Sequence, residues 1–193
     1  KGLFFAMKST NFFICNNDDL RNIHVAISGV GKVGGKLAKL LSKANAKITV
    51  ASINKDHIEK LKKEINFSET SPINLFKTKC DIISPCALGG AINALNKSEL
   101  QCKSIVGAAN NQLEDSTIGE WLNKNNIVYA PDYLVNSGGV IAIASEINKT
   151  ENLIEEQLKK IGDRLTSVLE ESKRSGESSN LVAKRIAWER INS

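Results

Sequence analysis

The chain has 193 residues, 41% of them hydrophobic and 24% charged, with three prolines and 5% aromatics; it is long enough for one substantial core and its composition excludes a collagenous, mucin-like or disordered chain. No run approaches the roughly 18 consecutive apolar residues of a membrane span. The formal charge of +5, from 26 basic and 21 acidic residues, is spread over stretches such as NLIEEQLKKIGDRL in which acids accompany the lysines, the pattern of a solvated helix surface rather than of a nucleic-acid interface.

The chain opens on KGLFFAMKSTNFFIC. Lys8, Ser9, Thr10 and Asn11 interrupt its apolar run, so it lacks the unbroken apolar core of about 7–15 residues that a secretory leader needs. Leu3, Phe4, Met7 and Phe12 instead fall near helical spacing, and residues 1–20 are expected to be a helix cut from a longer protein. After the polar link NNDDLRN, IHVAISG is almost continuously apolar, as a strand buried on both faces should be. GKVGGKLAKLLSKAN turns helical, with Val33, Leu37, Leu40 and Leu41 predicted on the buried stripe. AKITVAS is a second strand and DHIEKLKKEI a second amphipathic helix, with Asp56 its candidate cap.

Three further short strands follow, CDIISPCA, KSIVGAAN and NIVYAPD, expected to alternate with helical segments such as STIGEWLNKN. Beyond VNSGG a long helix runs from about Val140 to Lys173, with a break near Asn148, and residues 176–193 carry a closing helix after SGESSN. Strands alternating with helices over 21–175 predict an α/β, Rossmann-type doubly wound, mostly parallel sheet with helices on both faces. Cys15, Cys80, Cys86 and Cys102 form no CxxC, and with only His24 and His57 beside them no metal-ligand spacing arises. Scattered thiols suit a reducing cytoplasm.

ISGVGKVGGKLA contains Gly29, Gly31 and Gly34 as a GxGxxG that follows a predicted strand and opens a predicted helix, the context in which the motif binds a dinucleotide rather than forming a plain turn. Gly29 permits the tight turn, Gly31 lets a pyrophosphate reach the backbone, and Gly34 lets helix and strand pack closely. The helix N-terminus offers free N–H groups to the anion. Val30, Lys32 and Val33 complete this candidate loop. Ser52 lies eighteen residues past Gly34, where an Asp or Glu usually holds the adenine ribose 2′-hydroxyl. Without that carboxylate a 2′-phosphate is not repelled, and Ser52, Asn54 and Lys55 can donate to it. Equally, Ser52 can bond the 2′-hydroxyl of NAD, with Asp56 or nothing in place of the acid, so NAD and NADP both stay open.

The loops SPCALGG, GAANNQL and APDYLVNSGGV end the later strands, and in an open α/β sheet ligands bind outside the strands' carboxyl ends. Their small residues, Ala87, Gly89, Gly90, Ala108 and Ala109, admit a flat ring, and the amides Asn110, Asn111 and Asn136 bond it without bringing charge. Each alone is as easily a turn residue. Cys86 has no histidine or cation near it in sequence and reads as a packed thiol. Asp132 is either an acid/base group or a cap.

AMK at Ala6 to Lys8, GVGKVGGKLAKLL, CDIISPCALGGAIN, SIVGAANNQL, IVYAPDYLVNSGGVI and VAKRIAWERI, in this order over nearly the whole chain, resemble the cofactor domain of the leucine, phenylalanine and valine dehydrogenases, relatives of glutamate dehydrogenase, with the leucine branch nearest. The resemblance implies reversible oxidative deamination of an L-amino acid to its 2-oxo acid and ammonia, with hydride passing to nicotinamide C4. It also implies that Gly29 to Gly34 hold the pyrophosphate, and that Ser52, Ile53 and Asn54 hold the adenine ribose. By the same carry-over Cys86, Ala87, Leu88, Ala109 and Asn110 line the nicotinamide half, and Asn136 sits near the reacting centre. Asn111, Val140 and Ile143 fall to the substrate side, where two branched walls favour a branched aliphatic side chain; Val140 and Ile143 can equally be helix core.

Two departures stand out. Ser52 replaces the family's Asp, which leaves strict NAD use open. The family's preceding domain, with a glycine-rich segment and paired lysines, is absent from these residues, so no catalytic residue is assigned here and the piece is expected to bind cofactor but turn over little. The full-length protein is expected to be a homo-oligomer. The competing readings are a stand-alone, non-catalytic nucleotide-binding or regulatory module and another NAD(P)-dependent oxidoreductase on the same fold.

Overall fold

The computed structural model describes residues 1–192. Helix α1, Gly2–Cys15, opens the chain and ends where Asn16 turns left-handed (φ 54°) and returns its N–H to the Phe12 carbonyl. Strand β1 is His24–Ser28, α2 is Lys32–Lys43, β2 is Lys47–Ala51, α3 is Lys55–Lys62 and β3 is Ser68–Glu69. A single turn α4, Pro72–Leu75, leads to β4, Ile82–Pro85; then come β5, Ser104–Ile105, α5, Ser116–Lys124, and β6, Val128–Tyr129. The chain closes with α6, Asp132–Val135, α7, Gly138–Ile147, α8, Ile154–Ser175, and α9, Ser179–Ile191.

Among the described residues the six strands form one sheet in the order β3-β2-β1-β4-β5-β6, every pair parallel. This is the doubly wound Rossmann arrangement. Both faces of β1 are buried, as its unbroken apolar run requires. Val25 and Ile27 point into a core shared with Met7 of α1, Leu37 and Leu41 of α2, and Ile161 and Leu165 of α8. Ala26 points the other way, toward Ala51, Leu75 and Ile83, and that face continues into Ile105, Ile118 and Leu122. Helix α9 covers the β6 end: the Ser179 hydroxyl donates to the Tyr129 carbonyl at 2.6 Å and the Tyr133 hydroxyl to the Asn180 carbonyl at 2.9 Å.

The helix break falls at Asn148, the C-cap of α7. Three local expectations are corrected. The buried residues of α2 are Gly34, Leu37, Ala38 and Leu41, whereas Val33 is 51% exposed; in the first turn Gly34, not Val33, faces the strand ends, against the Gly29 carbonyl and Cys86. Asn54, not Asp56, caps α3, its side-chain oxygen accepting the His57 N–H at 3.0 Å, because Asn54 is the last extended residue before the helix. No α-helix joins β4 to β5. Asn93 Oδ1 accepts the N–H groups of Leu95 and Asn96, while Asn96 accepts from the Asn93 N–H and donates to the Ala91 carbonyl. These side-chain bonds draw the backbone out of a helix, leaving only a 3₁₀ turn at Lys97–Glu99.

Leu41 is fully buried, so Leu41→Ala is expected to cost about 2–5 kcal/mol, and Val33→Ala less than about 0.5 kcal/mol, by denaturant unfolding. Equal costs would contradict this placement of the stripe.

Candidate functional site

The strand order reverses between β1 and β4, and the loops leaving their carboxyl ends bound a crevice of the kind where ligands of open α/β sheets bind. The turn after β1 is stitched to both neighbours. The Gly29 N–H donates to the Ala51 carbonyl at 2.7 Å, and the Ser28 carbonyl accepts the Cys86 N–H at 2.8 Å. Gly29 takes φ +92°, and a Cβ on it would lie 2.8 Å from the Cβ of Ala87. A Cβ on Gly34 would collide with the Gly29 carbonyl oxygen and stand 3.2 Å from Cys86 Cβ. Gly31 differs: a Cβ there would meet nothing within 4 Å. It is the N-cap of α2, with no side-chain cap and no acidic residue in the first turn. The glycine turn is therefore packed at Gly29 and Gly34 and open at Gly31, with the helix's leading N–H groups unoccupied by side chains, which fits a pyrophosphate. Val30 is 5% exposed and belongs to the core, so only its backbone faces the crevice; Lys32 and Val33 are exposed.

Ser52 follows Ala51, which pairs with Ser28, and so flanks the glycine turn. Its hydroxyl oxygen accepts the Asn54 N–H at 3.2 Å, and Ile53 is 89% exposed. On the other side of β1, Ala87 and Leu88 are exposed. The loops after β4 and β5 are zipped together: the Gly90 N–H donates to the Asn111 carbonyl at 2.7 Å and the Ile92 N–H to the Gln112 carbonyl at 2.9 Å. Ala109 is buried and Asn110 exposed. Asn136 donates its amide to Asn110 Oδ1 at 2.7 Å, so two of the predicted amides form one neutral hydrogen-bonded wall.

Asp132 is neither a free acid/base group nor the N-cap of α6, which is Pro131. Its carboxylate accepts the Asn111 N–H at 2.6 Å and the Tyr129 hydroxyl at 3.0 Å, and thereby fixes Asn111 in its left-handed conformation (φ 51°). Burial and then the Asp132 carboxylate push the Tyr129 phenol up, which keeps it a donor. Burial also pushes the Cys86 thiol up, opposite to what a nucleophile needs. Val140 and Ile143 are 70% and 61% exposed; they are not helix core. Sequence reasoning missed Gln112, fully buried, whose amide donates to the Ala109 carbonyl at 2.9 Å. It also missed the clip made by Asp132, whose only signal was its place after AP. Among the described residues no cluster of His, Cys, Asp or Glu can hold a metal ion, and no helix is long and apolar enough to cross a membrane.

Sheet order, glycine turn and convergent strand-end loops define a Rossmann-type α/β protein with its candidate site at the switch point. The family model described as Glutamate/Leucine/Phenylalanine/Valine dehydrogenase matches residues 49–192, and the chain belongs to that family. It is similar to a leucine dehydrogenase from Thermoactinomyces intermedius, 38% identical over 193 residues, covering 98% of this chain and 52% of that protein. A phenylalanine dehydrogenase of the same organism is also 38% identical over 193 residues, covering 98% of this chain and 53% of its own. Among solved structures, L-tryptophan dehydrogenase from Nostoc punctiforme superposes with a TM-score of 0.94 at 33% identity, covering 99% of this chain and 57% of that one. The chain thus spans about half the length of the curated relatives it matches.

Gly34→Ala is expected to destabilise the protein by at least roughly 1–3 kcal/mol, since the added methyl meets backbone that cannot yield. Gly31→Ala, with open space and φ −68°, should leave the melting temperature nearly unchanged. A Gly31→Ala loss as large as that of Gly34→Ala would show that the turn is not open there.

Proposed function

We propose that this chain is the nicotinamide-dinucleotide-binding half of an amino-acid dehydrogenase that interconverts an L-amino acid with its 2-oxo acid and ammonia. The observation that carries the reading is the split glycine turn, closed by packing at Gly29 and Gly34 and open at Gly31, beside the Asn110–Asn136 amide wall. When bound, the dinucleotide supplies hydride acceptance and donation. The chain's own residues hold and orient it: Gly31, Lys32 and Val33 offer backbone N–H groups to the pyrophosphate, Ser52, Ile53 and Asn54 the adenine ribose, and Ala87, Leu88, Ala109 and Asn110 the nicotinamide. Asn136 and Asn111 border the substrate. The NAD(P) role also finds support in the family membership.

Val140 and Ile143, with Ile147 (74% exposed) further along α7, present an apolar stripe to solvent that needs a cover. We assign Val140 and Ile143 to the wall of the substrate's side-chain pocket, and favour a branched aliphatic amino acid on the resemblance to leucine dehydrogenases. The proton-transfer groups are assigned to a preceding domain, which α1 joins to the sheet; the relatives' roughly twofold length supports it. On this reading residues 21–175 are the dinucleotide domain and 176–193 a C-terminal helix. The full-length protein is a homo-oligomer in the cytoplasm, where four free cysteines are at home.

Two measurements test this. Reduced nicotinamide fluorescence should rise on titration into the wild-type protein, and Gly31→Ala should weaken binding by about tenfold or more, the equivalent of about 1.4 kcal/mol, without loss of fold. The full-length protein should oxidise L-leucine, L-isoleucine or L-valine with reduction of the dinucleotide. Binding without turnover of any L-amino acid by the full-length protein would favour the non-catalytic module instead.

A further inference from the structure

We infer that the turn joining β2 to α3 is built for an adenosine 2′-phosphate, so that NADP(H) is the preferred coenzyme; this rests on the dinucleotide reading above. The place is fixed by backbone. Ser28 pairs with Ala51 across β1 and β2, and the Gly29 N–H is bonded to the Ala51 carbonyl. Ser52 therefore stands beside the glycine turn, where the adenine ribose of a dinucleotide laid across the strand ends falls. A carboxylate here would accept from the ribose hydroxyls and repel a phosphate; this chain has none from Ser52 to Lys55.

What the turn offers is donors. The Ser52 oxygen already accepts the Asn54 N–H, which leaves the hydroxyl proton to point outward. Asn54 spends its side-chain oxygen on the His57 N–H, which leaves its NH₂ group toward solvent. Donors turned outward, the Ser52 hydroxyl and the Asn54 amide among them, are matched by an acceptor-rich ligand, and a phosphate monoester is one. Lys55, one residue on, and Lys32, across the glycine turn, are exposed and enter no ion pair among the described residues. The nearby acids are otherwise engaged: Glu59 and Glu69 both pair with Lys62 at 2.9 Å, and Glu64 pairs with Lys39. Asp56, inside the first turn of α3, is the exception. Its carboxylate is a competitor for the ribose, and the test addresses it directly.

The experiment is a fluorescence titration of the full-length protein with NADH and with NADPH at low and at 0.5 M salt, alongside Ser52→Asp, Lys55→Ala and Asp56→Asn. NADPH is expected to bind at least about tenfold tighter than NADH, with the advantage shrinking in salt as screening shortens the reach of the lysines. Ser52→Asp should reverse the order, and Lys55→Ala should weaken NADPH more than NADH. Adenosine 2′,5′-bisphosphate should displace NADPH better than ADP does. Equal or tighter NADH binding overturns the inference, and if Asp56→Asn then removes the NADH advantage, Asp56 is the ribose acid. Failure of both coenzymes to bind would instead sink the dinucleotide reading itself.

Discussion

The backbone from Ser28 to Gly34 is gripped from three sides, and the rest of the site takes its position from that grip. The Ala51 carbonyl holds Gly29 from β2, the Cys86 N–H holds Ser28 from β4, and α2 leans so close that Gly34 has no room for a Cβ above the Gly29 carbonyl. Close packing of this kind leaves little slack. It fixes where α2 begins, and with it the direction in which the helix's leading N–H groups point. The loops after β2 and β4 are tied to the same few atoms, so both sides of the crevice are set by one turn.

The Asp132 carboxylate performs a similar service on the far side. It takes one hydrogen bond from the chain after β5, through Asn111, and one from β6, through the Tyr129 hydroxyl. Asn111 in turn accepts from Gly90 after β4. Three successive strand ends are joined through two residues, and the amide of Asn110 is left facing Asn136. The Tyr129 phenol is buried, so losing its carboxylate partner would leave a hydroxyl unsatisfied, which suits a part that must hold loops otherwise free of secondary structure.

The fold was legible in the sequence wherever burial decides structure. β1 shows its two-sided burial as an apolar run, the α7–α8 break shows at Asn148, and the glycine spacing has meaning because a strand precedes it. Legibility fails where side chains act on backbone locally. Asn93 and Asn96 hold the link between β4 and β5 away from a helix, and Asn54 displaces Asp56 as a cap; neither has a periodic signature. β3, two exposed residues, has no apolar pattern to find. Val33 misleads for a different reason: it keeps the helical period of the buried stripe, but in the first turn the close approach to the strand ends is made by Gly34, and Val33 stays half exposed. Val140 and Ile143 likewise are apolar residues on an exposed face of α7, which periodicity alone does not separate from helix core.

On the dinucleotide reading proposed above, the two ends of the crevice have opposite electrostatic demands, and the residue types on the two sides differ accordingly. Next to a nicotinamide ring that gains positive charge when it gives up hydride, a fixed cation would oppose binding of the oxidised form and a fixed anion would favour it too strongly. The Asn110–Asn136 wall is made of amides, and the Asp132 carboxylate beside it is spent on Asn111 and Tyr129. At the adenine end charge is constant throughout the reaction, so cations are harmless to turnover there. Lys32 and Lys55, exposed at the first positions of α2 and α3, would stand on that side. An acidic residue at position 52 would have spoiled this division by setting a negative charge against the phosphate-bearing half. On the same reading Ser52 preserves it, which would make the serine consistent with the rest of the site rather than an isolated loss.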